Sequence, residues 1–488
     1  MTTQKKVRLL TYAFILIMLF GACRRSGSES TENRMDTNGP VTLARVDLDL
    51  DAIKERGTLR AIVENSSTGF FIYKGRPMGF EHDLLDLFAK SIGVELEIVV
   101  TKSIDEAFNL LDSGKGDILA YALTITKERK KRAAFTHSYY STRQVLVQRM
   151  PDNWRSMKRD DIDKGLIREV VDLAGKEVFV RKSSSYSRRL ENLSDEIGSD
   201  ILVIDVDSAE TEQLIHMVSE GEIPMTVADE TVALVNASYY PNIDVKTPIS
   251  FPQNIAWAVR PNSTELLSTL NNWIDSVKKE PTANVIYNRY FKYRRKANML
   301  ARSDYSSMGG EKISPFDDLI REAADTLRWD WLLLASQIYQ ESKFDTDIVS
   351  WAGAVGLMQV VPETGSRFGA TDLTDPKQNI RAGMGYLLHL DELWSKTITD
   401  PEERIKFVLA SYNVGLGHVV DARDLAQKYG RDPLKWEGNV EYFLERKSDP
   451  EIYQDEVVKS GYCRGDEPVN YVREILNRYE QYKQFIAV

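Results

Sequence analysis

Cysteine and histidine are scarce in this chain of 488 residues, which has only Cys23, Cys463 and five histidines. Two thiols cannot build the bridge framework of a disulfide-held fold. The histidines (His82, His137, His216, His389, His418) have no ligand spacing, so no metal site is expected and no cofactor is called for. A basic surplus is also missing: 63 Lys and Arg against 73 Asp and Glu give a formal charge of −10, which argues against nucleic acid as a partner. No apolar run reaches the ~20 residues that a spanning helix needs. The rest is ordinary for a globular chain, with 42% hydrophobic and 28% charged residues. The length predicts roughly two to four domains.

Lys5, Lys6 and Arg8 precede an apolar run from Leu9 to Ala22. A basic start, a short apolar core and small residues at its end describe an export signal over 1–22. The end, Leu19-Phe20-Gly21-Ala22-Cys23, resembles the bacterial lipobox, with Phe20 departing from the usual Leu. The resemblance implies that Cys23 is lipidated and anchors the protein to a membrane; the alternative is an ordinary secretory signal with a chance cysteine. Cys463 then has no partner and is expected to be a free thiol. Residues 23–50, rich in Ser, Thr, Asn and charge, read as a tether. Arg24-Arg25 lacks the Asp associated with inner-membrane retention, which favours the outer membrane, facing the periplasm.

From 51 to 293, short β-type runs alternate with helical ones. Strand patterns stand at 58–63, 94–100, 117–121, 176–180, 201–204, 225–228 and 255–259, and an amphipathic helix at 79–92. That alternation indicates an α/β sheet domain, with 58–150 and 176–260 as candidate lobes. Residues 294–312 turn basic, polar and glycine-containing, and read as a linker. From 313 to 488 the pattern is almost wholly helical.

DILAYALTITKERKKRAAFTHSYY at 117–140 and GRPMGFEHDLLDLFAKSIG at 75–93 resemble the type 3 periplasmic solute-binding family, whose two α/β lobes hold an amino acid in a cleft. Carried over residue by residue, the resemblance implies that Arg129 forks onto the α-carboxylate, as a guanidinium suits. It gives Thr124 and Ser184 the role of further donors and Asp229 that of receiving the α-ammonium. Arg129 also sits in a run, KERKKR, that reads as a solvated basic face, and Asp229 also reads as a helix N-cap.

In DWLLLASQIYQESKF (330–344), Leu334, Ile338 and Glu341 fall on one helical face, behind Asp330 as N-cap. A carboxyl on an apolar stripe loses solvation, its pKa rises, and it can donate a proton near neutral pH. The alternative is a glutamate at the stripe's edge with its head in water.

Glu341-Ser342, Gly356-Leu-Met-Gln359, Tyr412-Asn413 and the late Tyr471 together resemble the family 1 lysozyme-like lytic transglycosylases. The third motif is interrupted, with Ser411 between Ala410 and Tyr412. The expected fold is thus an α/β two-lobed periplasmic solute-binding domain followed by a mainly α lysozyme-like domain. The resemblance implies that Glu341 is general acid and then general base on murein. It also implies that Ser342 and Gln359 orient Glu341 or the saccharide, that Met358 lines the groove floor, that Tyr412 and Asn413 bond the sugar, and that Tyr471 steadies Glu341. Common hydrolases need two carboxylates, whereas these motifs supply one, so the muramyl C6 hydroxyl would attack instead of water. The competing readings are a lysozyme-type hydrolase and a receptor whose helical domain only grips glycan. An amino acid or muropeptide in the first domain would then modulate the second.

Overall fold

The computed structural model describes residues 46–207, 209–293 and 299–486. The export signal, Cys23, most of the tether and residues 294–298 of the linker segment lie outside the described residues. The last tether positions, 46–49, are pinned: Leu48 O accepts from Arg260 Nη2 (3.1 Å) and Ser263 Oγ (2.7 Å), and the Asp49 carboxylate caps Leu50–Arg56 and receives Leu266 N.

The first lobe is built on a sheet whose spatial order is Glu95–Val100, Thr58–Val63, Ile118–Thr124, Gln253–Val259, Ala134–Phe135. The first three strands are parallel, and Gln253–Val259 runs antiparallel to Ile118–Thr124. Ile118–Thr124 is buried at almost every position because helices cover both faces, as parallel sheets require. Phe80–Ile92 is one of those helices and buries Phe80, Leu84, Leu85 and Phe88.

The second lobe has five strands in the order Leu202–Val206, Glu177–Arg181, Met225–Asp229, Gln144–Arg149, Ile243–Pro248. The chain enters this lobe through 142–144 and leaves through 248–253. Tyr140–Thr142 pairs with Gln253–Ile255, so the two crossings lie side by side. The lobes also meet across the cleft. Ser67 N and Oγ donate to Glu212 (3.0 and 2.8 Å), Ser183 Oγ donates to Asp105 (2.7 Å), and the Arg181 guanidinium reaches the Glu64 carboxylate.

The rest of the chain is helical. Three of its helices start on Asp-Pro: Asp375 before Pro376–Ser395, Asp400 before Pro401–Val414 and Asp449 before Pro450–Tyr453. Proline at the first helical position loses no hydrogen bond, and an aspartate before it can bond the free amides. Asp375 accepts from Gln378 N (2.8 Å) and Asp400 from Glu402 N (3.0 Å). Trp331–Ser342, the helix that carries Glu341, is capped by Asp330, which accepts from Leu332 N (2.9 Å), and is buried on nearly every side.

The helical part packs on the first lobe, and one apolar core runs through both. The hairpin of Phe71–Tyr73 and Arg76–Met78 drives its tip against the Glu341 helix and the last helix, Asp466–Phe485. Gly75 at that tip has φ +73°, and a Cβ there would strike Tyr482 and Tyr339, so only glycine allows the approach. Tyr482 Oη donates to Gly75 O (3.1 Å). The described part of the linker segment lies on both lobes. Lys74 N donates to Tyr305 O (2.9 Å), and Arg302 Nη2 donates to Asn236 Oδ1 (2.7 Å) in the second lobe.

Candidate active site and ligand cleft

Glu341 stands one residue before the end of its helix, half-buried. Loss of solvent raises its pKa to about 7, and a hydrogen bond from Tyr471 Oη to Oε1 partly opposes that rise. Tyr471 comes from the last helix, and its hydroxyl accepts from Gln337 Nε2 (3.3 Å), one turn before Glu341. Gln337 thereby leaves the tyrosine proton to Glu341. Gln337 was not singled out from the sequence, although it shows the same signal as Glu341, a polar residue on an apolar helical stripe.

Beyond Ser342 the chain turns sharply, with Lys343 and Phe344 both in the left-handed region (φ +54° and +63°). The loop that follows carries Met358 and Gln359, and Asn379 staples it. The Asn379 side chain accepts from Met358 N and donates to Val355 O and Leu373 O, each at 2.8 Å. Tyr412 Oη donates to Met358 O (2.8 Å), and the negative charge of Glu341 helps to push the Tyr412 pKa up after burial. The Tyr386 ring lies 5.3 Å from that of Tyr412.

Tyr471 thus bonds Glu341, and Tyr412, which feels the Glu341 charge, holds the Met358 carbonyl, while the hydroxyl of Ser342 and the amide of Gln359 bond other groups. Ser342 is buried and its hydroxyl donates to Ile338 O (3.2 Å) of its own helix. Gln359 sits at φ +46° and spends its amide on Ile348 O (3.2 Å) and Gly356 O (3.0 Å). Among the described residues neither side chain bonds Glu341. Met358 is fully buried, packed on Gly383. Asn413 is exposed near the end of its helix. Asp345 is exposed and accepts from Asp347 N (2.9 Å). Cys463 is a buried free thiol.

In the first domain, Thr124, Arg129, Ser184 and Asp229 all line one cavity of about 510 Å³. Arg129 turns inward, donating to Thr124 O (3.1 Å), while Lys127, Glu128 and Lys130 around it are exposed. The basic-face reading therefore holds for its neighbours and not for Arg129. Burial lowers its pKa, and the charges of Tyr186 and Asp229 work against that. Asp229 stands before Glu230–Ala237 but makes no capping bond; burial raises its pKa to about 7, and Arg129 opposes. Ser184 caps Ser185–Ile197 by accepting from Tyr186 N (3.3 Å). Gln484 and Phe485, the end of the helix that carries Tyr471, also line this cavity, and Gln484 Oε1 accepts from Val100 N (3.0 Å).

Residues 59–293 match the family of bacterial extracellular solute-binding proteins, family 3. Residues 318–435 match the transglycosylase SLT domain, so the chain joins a solute-binding domain to a transglycosylase domain. It is 37% identical over 436 residues to the membrane-bound lytic murein transglycosylase F of Desulfosudis oleivorans, across 89% of this chain and 92% of the relative. To the protein of that name in Pseudomonas fluorescens it is 32% identical over 433 residues, across 88% and 86%. The chain belongs to the membrane-bound lytic murein transglycosylase F family. Among solved structures, an ArgBP of T. maritima is 27% identical, covers 50% of this chain and 98% of its own, and superposes with a TM-score of 0.42. Among the described residues no helix is long and apolar enough to cross a membrane.

Proposed function

We propose that the chain cleaves the β-1,4 bond between N-acetylmuramic acid and N-acetylglucosamine without consuming water. The observation that carries this reading is the state of Glu341. A half-buried carboxyl with a pKa of about 7 is protonated often enough to act as acid and ionised often enough to act as base. Glu341 Oε–H protonates the glycosidic oxygen as the C1–O bond breaks. The carboxylate left behind takes the proton of the muramyl C6 hydroxyl, whose oxygen attacks C1 and closes the 1,6-anhydro ring. One proton goes out and one returns, so the enzyme is regenerated.

Tyr471 holds Glu341 in place through both steps. Tyr412 fixes the loop that frames the groove, with Met358 beneath it and Gln359 tying it together. Asn413, exposed near Tyr412, is available to bond the saccharide. Ser342 supports the helix end. The hydrolase reading needs a second carboxylate, and the exposed placement of Asp345 gives it no support.

Export and lipidation at Cys23 would hold the protein at the periplasmic face of a membrane, the outer one on the Arg24-Arg25 pattern. In the first domain, Arg129 takes a carboxylate and Asp229 an ammonium, the pair carried by an amino acid or a stem-peptide fragment of murein. The last helix runs from Tyr471 to the rim of that cavity, so it offers a direct mechanical route by which ligand occupancy could bias the catalytic site.

Mass spectrometry of murein digested by the purified protein tests the chemistry. Products one water lighter than hydrolytic muropeptides support it, and reducing muramyl ends overturn it. Glu341→Gln should keep fold and glycan binding and abolish product release. Titration with stem peptides and amino acids tests the cleft; heat from none of them removes the ligand reading.

A further inference from the structure

The loop that follows the Glu341 helix leaves apolar surface in water. Trp351 is 100% exposed, Val349 61%, and Ile348 and Val361 39% each. Apolar residues scattered singly over a surface are ordinary, whereas several on one loop form a patch of the kind that marks an interaction site. A slack chain does not explain the exposure. Ser350 N donates to Ala354 O and Gly353 N to Ser350 O (each 2.9 Å), and Ala354 N donates to Ser350 Oγ (3.0 Å). Val349 also bridges antiparallel to Val355. These bonds close a tight turn over 350–354, with Trp351 at its tip.

The turn is tied back to the loop that carries Met358 and Gln359. Gly356 N donates to Ile348 O (3.0 Å), and Gln359 Nε2 donates to the same carbonyl (3.2 Å). Met358 O, next to Gln359, accepts from Tyr412 Oη (2.8 Å), the hydroxyl on which the Glu341 charge acts. A series of hydrogen bonds thus leads outward from the catalytic centre to Ile348. Trp351 stands three residues beyond it, so the Cα of Trp351 lies within ~11 Å of that of Ile348.

Charge selects the partner. Residues 345–363 hold Asp345, Asp347 and Glu363 and no lysine or arginine. An anionic membrane or a polyanion calls for basic residues, and this loop has the opposite sign. An uncharged pyranose ring suits it, because the C–H face of the ring is apolar and packs on an indole while its hydroxyls stay in water.

Building on the transglycosylase reading, we propose that the exposed turn around Trp351 is a sugar-stacking platform that extends the saccharide groove and holds a pyranose ring of the glycan strand away from the bond that is cut. The indole touches a ring that does not react. It therefore binds ground state and transition state alike, and it sets affinity for the strand and not the rate of bond breaking.

The test is steady-state cleavage by the full chain of glycan strands freed of stem peptides and graded by length. Trp351→Ala should raise KM about ten-fold on long strands with kcat little changed, the pattern of lost uniform binding. Trp351→Phe should recover most of that loss, and the KM defect should shrink on fragments too short to span from the cut bond to the turn. Equal KM for Trp351→Ala and wild type at every length overturns the platform and leaves the transglycosylase reading standing, because anhydro products still form. A defect confined to peptide-bearing murein, a fall in binding to phosphatidylglycerol vesicles, or loss of a dimer in Trp351→Ala also overturns it, since a stem peptide, a membrane or a second copy would then cover the patch. A wild type that releases no anhydro product overturns both. The Trp351 side chain lies in water, so its replacement should leave the fold intact, which a thermal melt checks.

Discussion

Tyr471→Phe isolates the contact that tunes Glu341. The hydroxyl donates to Glu341 Oε1, and this bond is what restrains a pKa already pushed to about 7 by burial. A hydrogen bond to a charged group contributes about 1.5–3 kcal/mol, and one pKa unit corresponds to about 1.4 kcal/mol. Removing the bond destabilises the carboxylate and not the acid, so the Glu341 pKa should rise by a further ~1–2 units. Initial rates of anhydromuropeptide release, measured from pH 5 to pH 10 on isolated murein, read this directly. The alkaline limb in the wild type reports loss of the protonated acid and should fall near pH 7. In Tyr471→Phe it should move upward by ~1–2 units while the maximal rate drops, because the carboxylate form is also the base and is no longer held in place. A limb that stays put or moves down would refute the proposition that Tyr471 sets the proton affinity of Glu341. Loss of the Gln337–Tyr471 bond is a side effect, and a thermal melt of the variant shows whether the fold survives it.

Glu341→Gln should make the protein more stable above neutrality. The folded state raises this pKa from 4.5 to about 7, so it binds the proton more tightly than the unfolded chain. Wild-type stability is therefore greatest below pH 4.5 and declines until about pH 7. The variant lacks that decline, and denaturant melts at pH 8 should show it roughly 1–3 kcal/mol more stable, with no difference at pH 4; equal stability at pH 8 would sink the claim that Glu341 is desolvated. Asp229→Asn follows the same sign from its own shift to about 7: the unliganded variant should melt higher than wild type at pH 8 yet lose any ligand-induced rise in Tm. Tyr412→Phe strips the partner from Met358 O and should cost about 1–3 kcal/mol in chemical denaturation together with a fall in kcat; unchanged values in both would show that the loop does not depend on this bond.

Local patterns in the sequence reached far into both domains. Short apolar runs marked the central sheet strands, which are buried on both faces, and a helical stripe marked the Glu341 helix, since burial imposes such patterns on the chain whatever surrounds it. Asp330 as a cap and Glu341 on the apolar stripe were legible for the same reason. Arg129 and Asp229 could be picked out by their motifs, but each carried a second reading that the sequence left open. Arg129 separates from the exposed basic residues around it because only its side chain turns into the cavity, and no charge pattern reveals that.

Other features depend on partners far apart in the chain. Tyr471 meets Glu341 across 130 residues, and Ser67 meets Glu212 across 145. The Ser342 hydroxyl and the Gln359 amide bond local backbone acceptors and Met358 packs on Gly383, contacts that no sequence motif announces. Composition, signal and the types of the chemical groups follow from the chain alone, because they depend on residues near one another in sequence. Which carboxyl is dry and which hydroxyl faces it depend on how the lobes and helices pack, since desolvation and hydrogen-bond geometry arise only when distant segments close around a group.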